Sequence, residues 1–300
     1  PRAAASEREG VSGGDVQGMM QHLGTILLRM PPASFSAHGV AQIVNGYAKM
    51  KREGLVMDVG PKGVEDVGFL RLFSHLARVA RQMGRRCFEL PCDARHVSNI
   101  VNGYAKAGIR DPDLFKHLST VAQELSAGAF DAQNVANIMH AYATLGIRDG
   151  PLFARMSRVA RGYEPQTFDP QHVANIVHSL AVLGIDDRLL VSHLYGNVLR
   201  MRQTSLLQSD FNAQAMANLA WSAAVLGVKD APIHRWIASG CANRIPEMDR
   251  NCLSQVHQYL LSCELERIHG EGPASEEALS QLQEHRGMIR KAFEDGGGAE

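Results

Sequence analysis

Several features that mark common protein classes are scarce in this sequence. Aromatic residues make up 6% of its 300 residues, which favours helices packed with alanine, valine, leucine and methionine over a β-sandwich. No run of roughly 18 apolar residues occurs, so we expect no membrane-spanning helix and no membrane partner. The 5 cysteines form neither a CxxC pair nor a secreted framework, which indicates a reducing compartment.

An excess of charge of either sign is missing too. Lys+Arg and Asp+Glu both number 31, so the formal net charge is zero, and the 13 histidines add charge only below neutral pH. A protein that binds nucleic acid through unspecific attraction to phosphates normally carries a large positive excess. The balanced charge therefore argues against that class of binder.

Motifs that carry catalysis or bind a metal are missing as well. There is no HExxH spacing, no GxSxG, no Walker-type loop and no GxGxxG after a strand. No carboxylate pair or Cys/His set stands out in the sequence. We therefore predict a protein that is not an enzyme and that has no cofactor, no metal site and no small-molecule substrate.

The sequence does contain one motif that repeats, with substitutions, at a period of about 38 residues. The clearest copy is FDAQNVANIMHAYATLG, beginning at Phe130, and copies start near residues 35, 92, 130, 168, 211 and 248. This period predicts an all-α fold, a right-handed α-solenoid of about six helical hairpins of ~38 residues. We expect a disordered tail over 1–14, the repeat domain over 15–294 and a flexible end over 295–300. The apolar segment after Asp15 resembles the second helix of an earlier, incomplete repeat.

Each repeat carries the same start and stop signals. An apolar residue and a capping side chain precede the first helix, and a second apolar residue follows five positions on, which together predict a hydrophobic staple and an N-cap. The caps are Ser36, Asp93, Asp131, Asp169, Asn212 and Asp249. First helices are predicted to end at Gly108, Gly146, Gly184 and Gly227, and second helices to be capped by Asp111, Asp149, Asp187 and Asp230.

One side of the first helices carries polar residues that differ between repeats. We number each first helix from its central Asn or Gln as zero (Gln42, Asn99, Asn137, Asn175, Asn218, Gln255) and call positions −4, +3 and +7 the polar stripe. Amides, imidazoles, an indole and lysines can hydrogen-bond base edges, stack on bases or meet phosphates. The candidate RNA-binding residues are Arg95, Gln133, Gln171 and Gln214 at −4, Asn45, Asn102, His140, His178 and Trp221 at +3, and Lys49, Lys106 and Thr144 at +7.

The zero position hardly varies, whereas residues that discriminate between bases should differ from repeat to repeat. We therefore expect the zero residues to form a structural ladder between neighbouring helices. An ordinary solvated face, or a protein-binding face, is the alternative interpretation of the polar stripe. Val182 and Val225 interrupt the stripe at +7, where a protein partner could dock instead.

Basic residues also recur at steps of three on the second helices. The candidate phosphate contacts are Arg78, Arg81, Arg155, Arg158 and Arg161. This spacing keeps them on one slowly drifting face, which suits a phosphate-binding ridge and equally suits a plain solvated helix face.

With these residues set out, the repeats resemble the octotricopeptide and heptatricopeptide class of organellar RNA-binding proteins. They are also similar to the repeat region of FAST-kinase-like and RAP-domain proteins, and of the RNA-editing substrate-binding complex. The resemblance covers residues 35–264 and rests on units such as FDAQNVANIMHAYATLG followed by Leu152-Phe153. A RAP domain, which would follow the repeats, is not seen in the sequence.

The resemblance implies a mitochondrial protein, or alternatively a plastid one, that binds organellar mRNA or rRNA. Its expected role is RNA processing, stability, editing, translation or mitoribosome assembly, with RNA lying along the first helices. The alternative is a protein–protein scaffold subunit of an organellar ribonucleoprotein complex, whose partners are ribosomal or other ribonucleoprotein proteins. Neutral charge and the apolar interruptions of the stripe favour this second hypothesis.

Overall fold

The computed structural model describes residues 13–55, 67–84, 87, 93–204, 210–268, 280 and 282–294. Over these residues the elements are helical and no strand occurs, which confirms the all-α prediction. The α-helices are α1 Gly13–Arg29, α2 Ala37–Arg52, α3 Val67–Arg81, α4 Asp93–Ala107, α5 Pro112–Glu124, α6 Ala132–Thr144, α7 Gly150–Arg161, α8 Pro170–Val182, α9 Arg188–Thr204, α10 Ala213–Val225, α11 Ala231–Ala242, α12 Arg250–Ile268 and α13 Arg286–Glu294.

The chain divides into two compact units, Pro1–Leu125 and Ser126–Glu300. Helix α1 begins at Gly13, so the predicted tail over 1–14 lies outside the described residues except for its last two positions. The predicted flexible end over 295–300 lies outside them entirely. The repeat domain over 15–294 stays a prediction from the sequence.

Most of the predicted capping side chains begin their helices. The Asp93 side chain lies outside the described residues, and Asp169 forms a capping box with His172, whose Nδ1 accepts from Asp169 N at 3.2 Å. Ser36 accepts a hydrogen bond from Gly39 N at 3.0 Å, and Asn212 accepts one from Ala215 N at 2.8 Å. Each such cap satisfies a backbone N–H that the helix cannot, and is worth about 1 kcal/mol. Five further helices begin with the same kind of bond, in which an aspartate Oδ1 accepts from a backbone N–H of the first turn: Asp111 caps α5, Asp131 caps α6, Asp149 caps α7, Asp187 caps α9 and Asp230 caps α11.

The first helices end at glycines in the left-handed conformation. Gly108, Gly146, Gly184 and Gly227 have φ values of 69°, 62°, 60° and 60°. After α6, Gly146 N donates to Ala143 O at 3.0 Å and Ile147 N donates to Tyr142 O at 2.8 Å. These two bonds close the helix end and fold the apolar residue back onto the last turn, as the spacing predicts.

Short 3₁₀ turns precede several first helices, a feature that the sequence analysis did not predict. They span Pro32–Ser34, Ala127–Ala129, Pro165–Thr167 and Ile245–Glu247. In each, the N–H of the following apolar residue donates to the carbonyl of the first turn residue, for example Phe168 N to Pro165 O at 3.3 Å. The turn thereby aims the apolar residue into the core, where Phe168 is fully buried.

In the first unit, first helices of the hairpins pack on first helices, and second helices pack on second helices. Helix α2 packs on α4, and α1, α3 and α5 pack in succession. Tyr104 on α4 donates to Phe73 O at 2.6 Å, and Tyr47 on α2 donates in the same way to Met20 O at 2.8 Å. Helix α1 therefore stands before α2 as α3 stands before α4, which is the place predicted for the second helix of an incomplete repeat.

In the second unit, the first helices form one continuous row. Helix α6 packs on α8, α8 on α10, and α10 on α12. Helix α13 packs against α12, the last helix of the row. Leu152 and Phe153 on α7 are buried in the core, as their repeated Leu-Phe motif predicts. Because successive first helices lie side by side, equivalent positions on them become neighbours in space.

Candidate functional site

The +3 residues of the second unit lie next to one another on successive first helices and form what we call the +3 row: His140, His178, Trp221 and Gln258. The His178 and Trp221 rings lie with centroids 5.2 Å apart at an angle of 58°. Trp221 Nε1 donates to Gln258 Oε1 at 2.8 Å. Three of the four are predicted candidates; Gln258 aligns at +3 but was not among them, and the alignment was the signal that could have found it.

The +3 row is partly accessible and carries little charge. His140, His178 and Trp221 are half-buried. Burial, with a smaller contribution from the nearby His140, lowers the pKa of His178 from 6.5 to about 4. The His178 imidazole is therefore neutral near pH 7 and offers a ring face and hydrogen-bonding nitrogens instead of a positive charge.

The zero position makes the predicted ladder between α10 and α12, and it recruits −4 residues. Gln255 Nε2 donates to Asn218 Oδ1 at 3.1 Å, linking the zero residues of two repeats. Gln214 Nε2 donates to the same Asn218 oxygen at 2.8 Å, and Gln214 Oε1 accepts from Cys252 Sγ at 3.3 Å. Both ends of the Gln214 amide thus have partners within the protein.

Other stripe residues are also committed to internal partners. On α8, Gln171 Nε2 donates to the zero residue Asn175 at 2.8 Å. Asn45 Nδ2 on α2 donates across to Asn99 O on α4 at 3.0 Å. Thr144 Oγ1 donates to His140 O at 2.8 Å, and Lys49 lies 3.8 Å from Glu53. For Gln171, Asn45 and Thr144 the polar side chain has a structural role in the fold, whereas the Lys49–Glu53 pair is solvent-exposed and contributes little.

Four predicted candidates keep their polar groups available. Within the described part of the chain, Arg95, Asn102, Lys106 and Gln133 make no side-chain hydrogen bond or ion pair. Arg95, Lys106 and Gln133 are exposed, and Asn102 is half-buried. The first three of the four lie on α4 in the first unit, whereas Gln133 opens α6 in the second. A ligand could bind these side chains without breaking an internal contact.

The +7 position is apolar and exposed on two neighbouring helices. Val182 on α8 is 43% exposed and Val225 on α10 is 48% exposed. Leu189 on α9 is 68% exposed, the largest fraction among the exposed large apolar side chains of the described residues. Apolar side chains in such positions suit contact with another protein better than contact with bases or phosphates.

The candidate phosphate contacts lie on the second helices, apart from the polar stripe. On α3, Arg78 Nη2 donates to His75 Nδ1 at 3.1 Å, and Arg81 Nη1 pairs with Asp113 Oδ2 at 2.9 Å. On α7, Arg158 and Arg161 are exposed and Arg155 is half-buried. The structure therefore places the predicted base-contacting and phosphate-contacting residues on different sets of helices.

The buried cysteines are held as neutral thiols. Burial raises the pKa of Cys241 to about 12, that of Cys252 to about 12 and that of Cys263 to about 11. A thiol in this state is a poor nucleophile and a poor metal ligand. Within the described residues, no three His, Cys, Asp or Glu side chains are grouped so as to hold a metal ion. The same residues include no helix with the length and apolar character needed to cross a membrane.

Fold and site together define a class, that of all-α proteins made of successive helical hairpins with a row of aromatic and amide side chains along the first helices. The family model of the RNA-editing substrate-binding complex 6 protein matches residues 76–285, well over half of the chain. The protein belongs to that family. This match confirms the part of the sequence resemblance that named the RNA-editing substrate-binding complex. A search of curated proteins finds no relative that matches.

Proposed function

We propose that this protein binds single-stranded RNA through the first helices, as a component of an RNA-editing complex. The observation that carries the proposal is the +3 row, in which the His178 ring lies beside the tilted Trp221 ring and Trp221 donates a hydrogen bond to Gln258. Aromatic faces and neutral imidazoles stack on unpaired bases, and amide groups bond to their edges. Membership of a family of RNA-editing substrate-binding complex proteins supports the same role.

The free side chains on α4 extend this proposal to the first unit. Arg95, Asn102 and Lys106 stand at −4, +3 and +7 of one helix and make no internal side-chain bond within the described part of the chain. An amide between two cations can bond a base edge while the cations meet the adjacent phosphates. Gln133 on α6 has the same availability in the second unit. We assign a weaker role to Gln171, Gln214 and Asn45, whose amides already have partners.

The finer features of the sequence resemblance belong to this proposal. We propose that the hairpins follow the right-handed α-solenoid geometry of octotricopeptide or heptatricopeptide repeats, and that the protein acts in mitochondria, with plastids as the alternative. The packing of α6, α8, α10 and α12 in chain order supports a stack of this kind. We propose further that the protein is not an enzyme and uses no cofactor.

The test compares two pairs of substitutions on the same two helices. The variant His178→Ala/Trp221→Ala removes the centre of the +3 row from α8 and α10. The control Val182→Ser/Val225→Ser changes exposed residues one turn further along the same helices. We expect the first pair to weaken binding of a labelled single-stranded RNA by tenfold or more, since stacking on one base is worth about 1–3 kcal/mol. The control pair should bind as the unchanged protein does.

Filter binding or fluorescence anisotropy measures the affinity, and circular dichroism checks that both variants keep their helicity. Equal RNA affinity in the unchanged protein and the His178→Ala/Trp221→Ala variant would rule out the +3 row as an RNA site. If that variant loses helicity, His178→Leu/Trp221→Leu provides the replacement, because leucine keeps most of the apolar contact and removes the ring.

A protein–protein scaffold is the second candidate function, and the exposed apolar side chains at +7 favour it. Val182 and Val225 sit on neighbouring helices, so their side chains can contribute to one contact surface. If the protein is a scaffold, we expect the valine variant to lose its ligand and the His178→Ala/Trp221→Ala variant to keep it. Purification from the native organelle after RNase treatment should still recover protein partners, and Val182→Ser/Val225→Ser should lose them. Loss of every partner on RNase treatment alone would contradict the scaffold role.

A further inference from the structure

The exposed side of α3 is lined with arginines. Arg71, Ser74, Arg78 and Arg81 recur at steps of three and four residues, and all four are exposed. Together with His75, Leu70 and Leu28 of α1 they line a depression of about 580 Å³, which we call the α3 depression. It lies wholly within the first unit. Arg71 and Ser74 were not among the residues that the sequence singled out.

Positive charge in the α3 depression is only partly neutralised. Arg81 pairs with Asp113 at 2.9 Å, whereas Arg78 donates to the His75 ring at 3.1 Å and makes no ion pair with any residue that the structure describes. Arg71 makes no ion pair within the described residues. Helix α3 itself contains no acidic residue. In a protein whose formal net charge is zero, this side of α3 therefore concentrates positive charge, and two of its three arginines, Arg71 and Arg78, have no carboxylate partner within the described residues.

His75 orients Arg78 without adding charge of its own. The ring is buried, and burial together with the adjacent Arg78 lowers its pKa below 6.5. A neutral His75 accepts the Arg78 hydrogen bond at Nδ1, which fixes one edge of the guanidinium group. The remaining N–H groups of Arg78 stay available to a ligand.

The sequence distinguishes this helix from its counterparts. When the Leu-Phe pairs of the second helices are aligned, Arg71 corresponds to Asp113 on α5 and to Pro151 on α7. Arg78 corresponds to Thr120 on α5 and to Arg158 on α7. Only α3, among these three helices, combines both cations with a hydroxyl between them. The α3 depression is thus a property of this repeat and not a by-product of the repeated text.

We infer that the α3 depression binds consecutive phosphate groups of a single-stranded RNA. Arginine forms paired, charge-assisted hydrogen bonds to phosphate, and Ser74 adds a hydroxyl donor. Arg71 and Arg78 are two helical turns apart, about 10.5 Å along the axis, so the pair fits a chain of phosphates better than one isolated phosphate. This inference rests on the proposed function, because it supplies backbone contacts that the neutral +3 row does not provide.

The experiment measures RNA affinity as a function of salt concentration. Each phosphate contact to single-stranded nucleic acid contributes about 0.7 to the slope of log K against log salt. We expect Arg71→Gln/Arg78→Gln to lower the magnitude of this slope by about 1.4 and to weaken binding at low salt by about tenfold or more. The charge-preserving Arg71→Lys/Arg78→Lys should keep the slope near its original value.

A matched control removes the same charge elsewhere. Arg188 and Arg235 are exposed arginines on α9 and α11, and neither has a proposed role in binding. We expect Arg188→Gln/Arg235→Gln to leave affinity and slope within about twofold and about 0.3 of the unchanged protein. Thermal unfolding of all variants checks that the fold is kept, since these side chains are exposed.

The His178→Ala/Trp221→Ala variant, measured in parallel, separates the two proposals. An unchanged slope and affinity in Arg71→Gln/Arg78→Gln, with binding lost in the His178/Trp221 variant, would overturn the α3 inference alone. Loss in the arginine variant with no effect of the His178/Trp221 variant would support the α3 site and overturn the +3 row. A phosphopeptide that binds the α3 depression while RNA affinity stays unchanged in the arginine variant would overturn the RNA assignment.

Discussion

Gly46 and Gly103 occupy the same position in two repeats and have different surroundings. Gly46 on α2 is exposed, and a Cβ added there would have no neighbour within 4 Å. Gly103 on α4 is buried, and a Cβ there would collide with Cγ1 of the buried Val44. Valine is stiff about χ1, so it cannot easily turn away. The glycine at 103 allows α2 and α4 to approach closely, while the glycine at 46 has no such packing role.

We therefore predict opposite effects of the same substitution. Gly103→Ala should destabilise the protein by about 1–3 kcal/mol through overpacking. Gly46→Ala should stabilise it by up to about 1 kcal/mol, because alanine loses less backbone entropy in a helix. Chemical denaturation of both variants measures the two midpoints. A similar shift in both would show that the close approach of α2 and α4 does not depend on Gly103.

The half-buried His178 makes the stability of the protein depend on pH. Burial lowers the pKa of His178 to about 4 in the folded protein, from 6.5 for an unperturbed imidazole. The unfolded chain therefore binds the proton more readily, and the contribution of His178 to stability is complete above pH 6.5 and is lost as the pH falls towards 4.

His178→Gln removes this titration. We expect the loss of thermal stability between about pH 7 and about pH 5 to be smaller in His178→Gln than in the unchanged protein. Differential scanning fluorimetry at the two pH values gives the comparison. The prediction is wrong if the variant loses as much stability on acidification as the unchanged protein, because His178 would then not be the group that resists protonation.

At the scale of the element, each hairpin depends on local hydrogen bonds that begin and end its helices. Asp149 illustrates the start of a second helix: its Oδ1 accepts from Leu152 N at 3.0 Å, and Pro151 occupies the first turn where no N–H is needed. The end of the preceding first helix is fixed by Gly146, with φ at 62°. Only two residues, Ile147 and Arg148, separate these two signals, so the turn of the hairpin has little freedom.

We expect Asp149→Ala to cost about 1 kcal/mol, or about 2–4 °C in the unfolding midpoint, because Leu152 N–H would lose its acceptor. Asp149→Asn keeps an oxygen in the same place and should behave almost as the unchanged protein does. Thermal unfolding followed by circular dichroism measures both. Equal destabilisation by alanine and asparagine would point to the carboxylate charge instead of the cap.

At the scale of the whole molecule, the neutral net charge bears on the kind of nucleic acid that suits the proposed function. With 31 basic and 31 acidic residues, long-range attraction to phosphates is weak. Under the proposed function, affinity then has to come from short-range contacts, namely bases at the +3 row, the available groups on α4 and the arginines of the α3 depression. Bases in a duplex are stacked and paired, and side chains on a helix row cannot reach their faces.

The protein should therefore prefer single-stranded RNA to a duplex of the same sequence by tenfold or more, a preference of about 1.4 kcal/mol or greater. Competition between the two forms in a fluorescence anisotropy assay tests this. Equal binding of the duplex would mean that shape and phosphate contacts dominate, and that the +3 row is not the recognition surface.

The sequence by itself determined the hairpins. Caps such as Asp149 and glycine ends such as Gly146 involve residues three to five positions apart, so contiguous text encodes them completely. The Leu-Phe pairs and the staples followed from the same period. The 3₁₀ turns before the first helices were missed, because their bonds join backbone groups and need no particular side chain except an occasional proline.

Only the tertiary structure decided which polar residues are available. In the sequence Gln133, Gln171 and Gln214 are equivalent. The Gln214 amide is hydrogen-bonded to Asn218 and Cys252, whereas the Gln133 side chain makes no hydrogen bond within the described part of the chain. The bond to Asn218 lies within α10, but the contact with Cys252 joins residues 38 positions apart on α10 and α12, and the angle and register between helices determine it. The packed fold therefore determines which side chains bond across helices, while the repeated sequence motif determines the helices themselves.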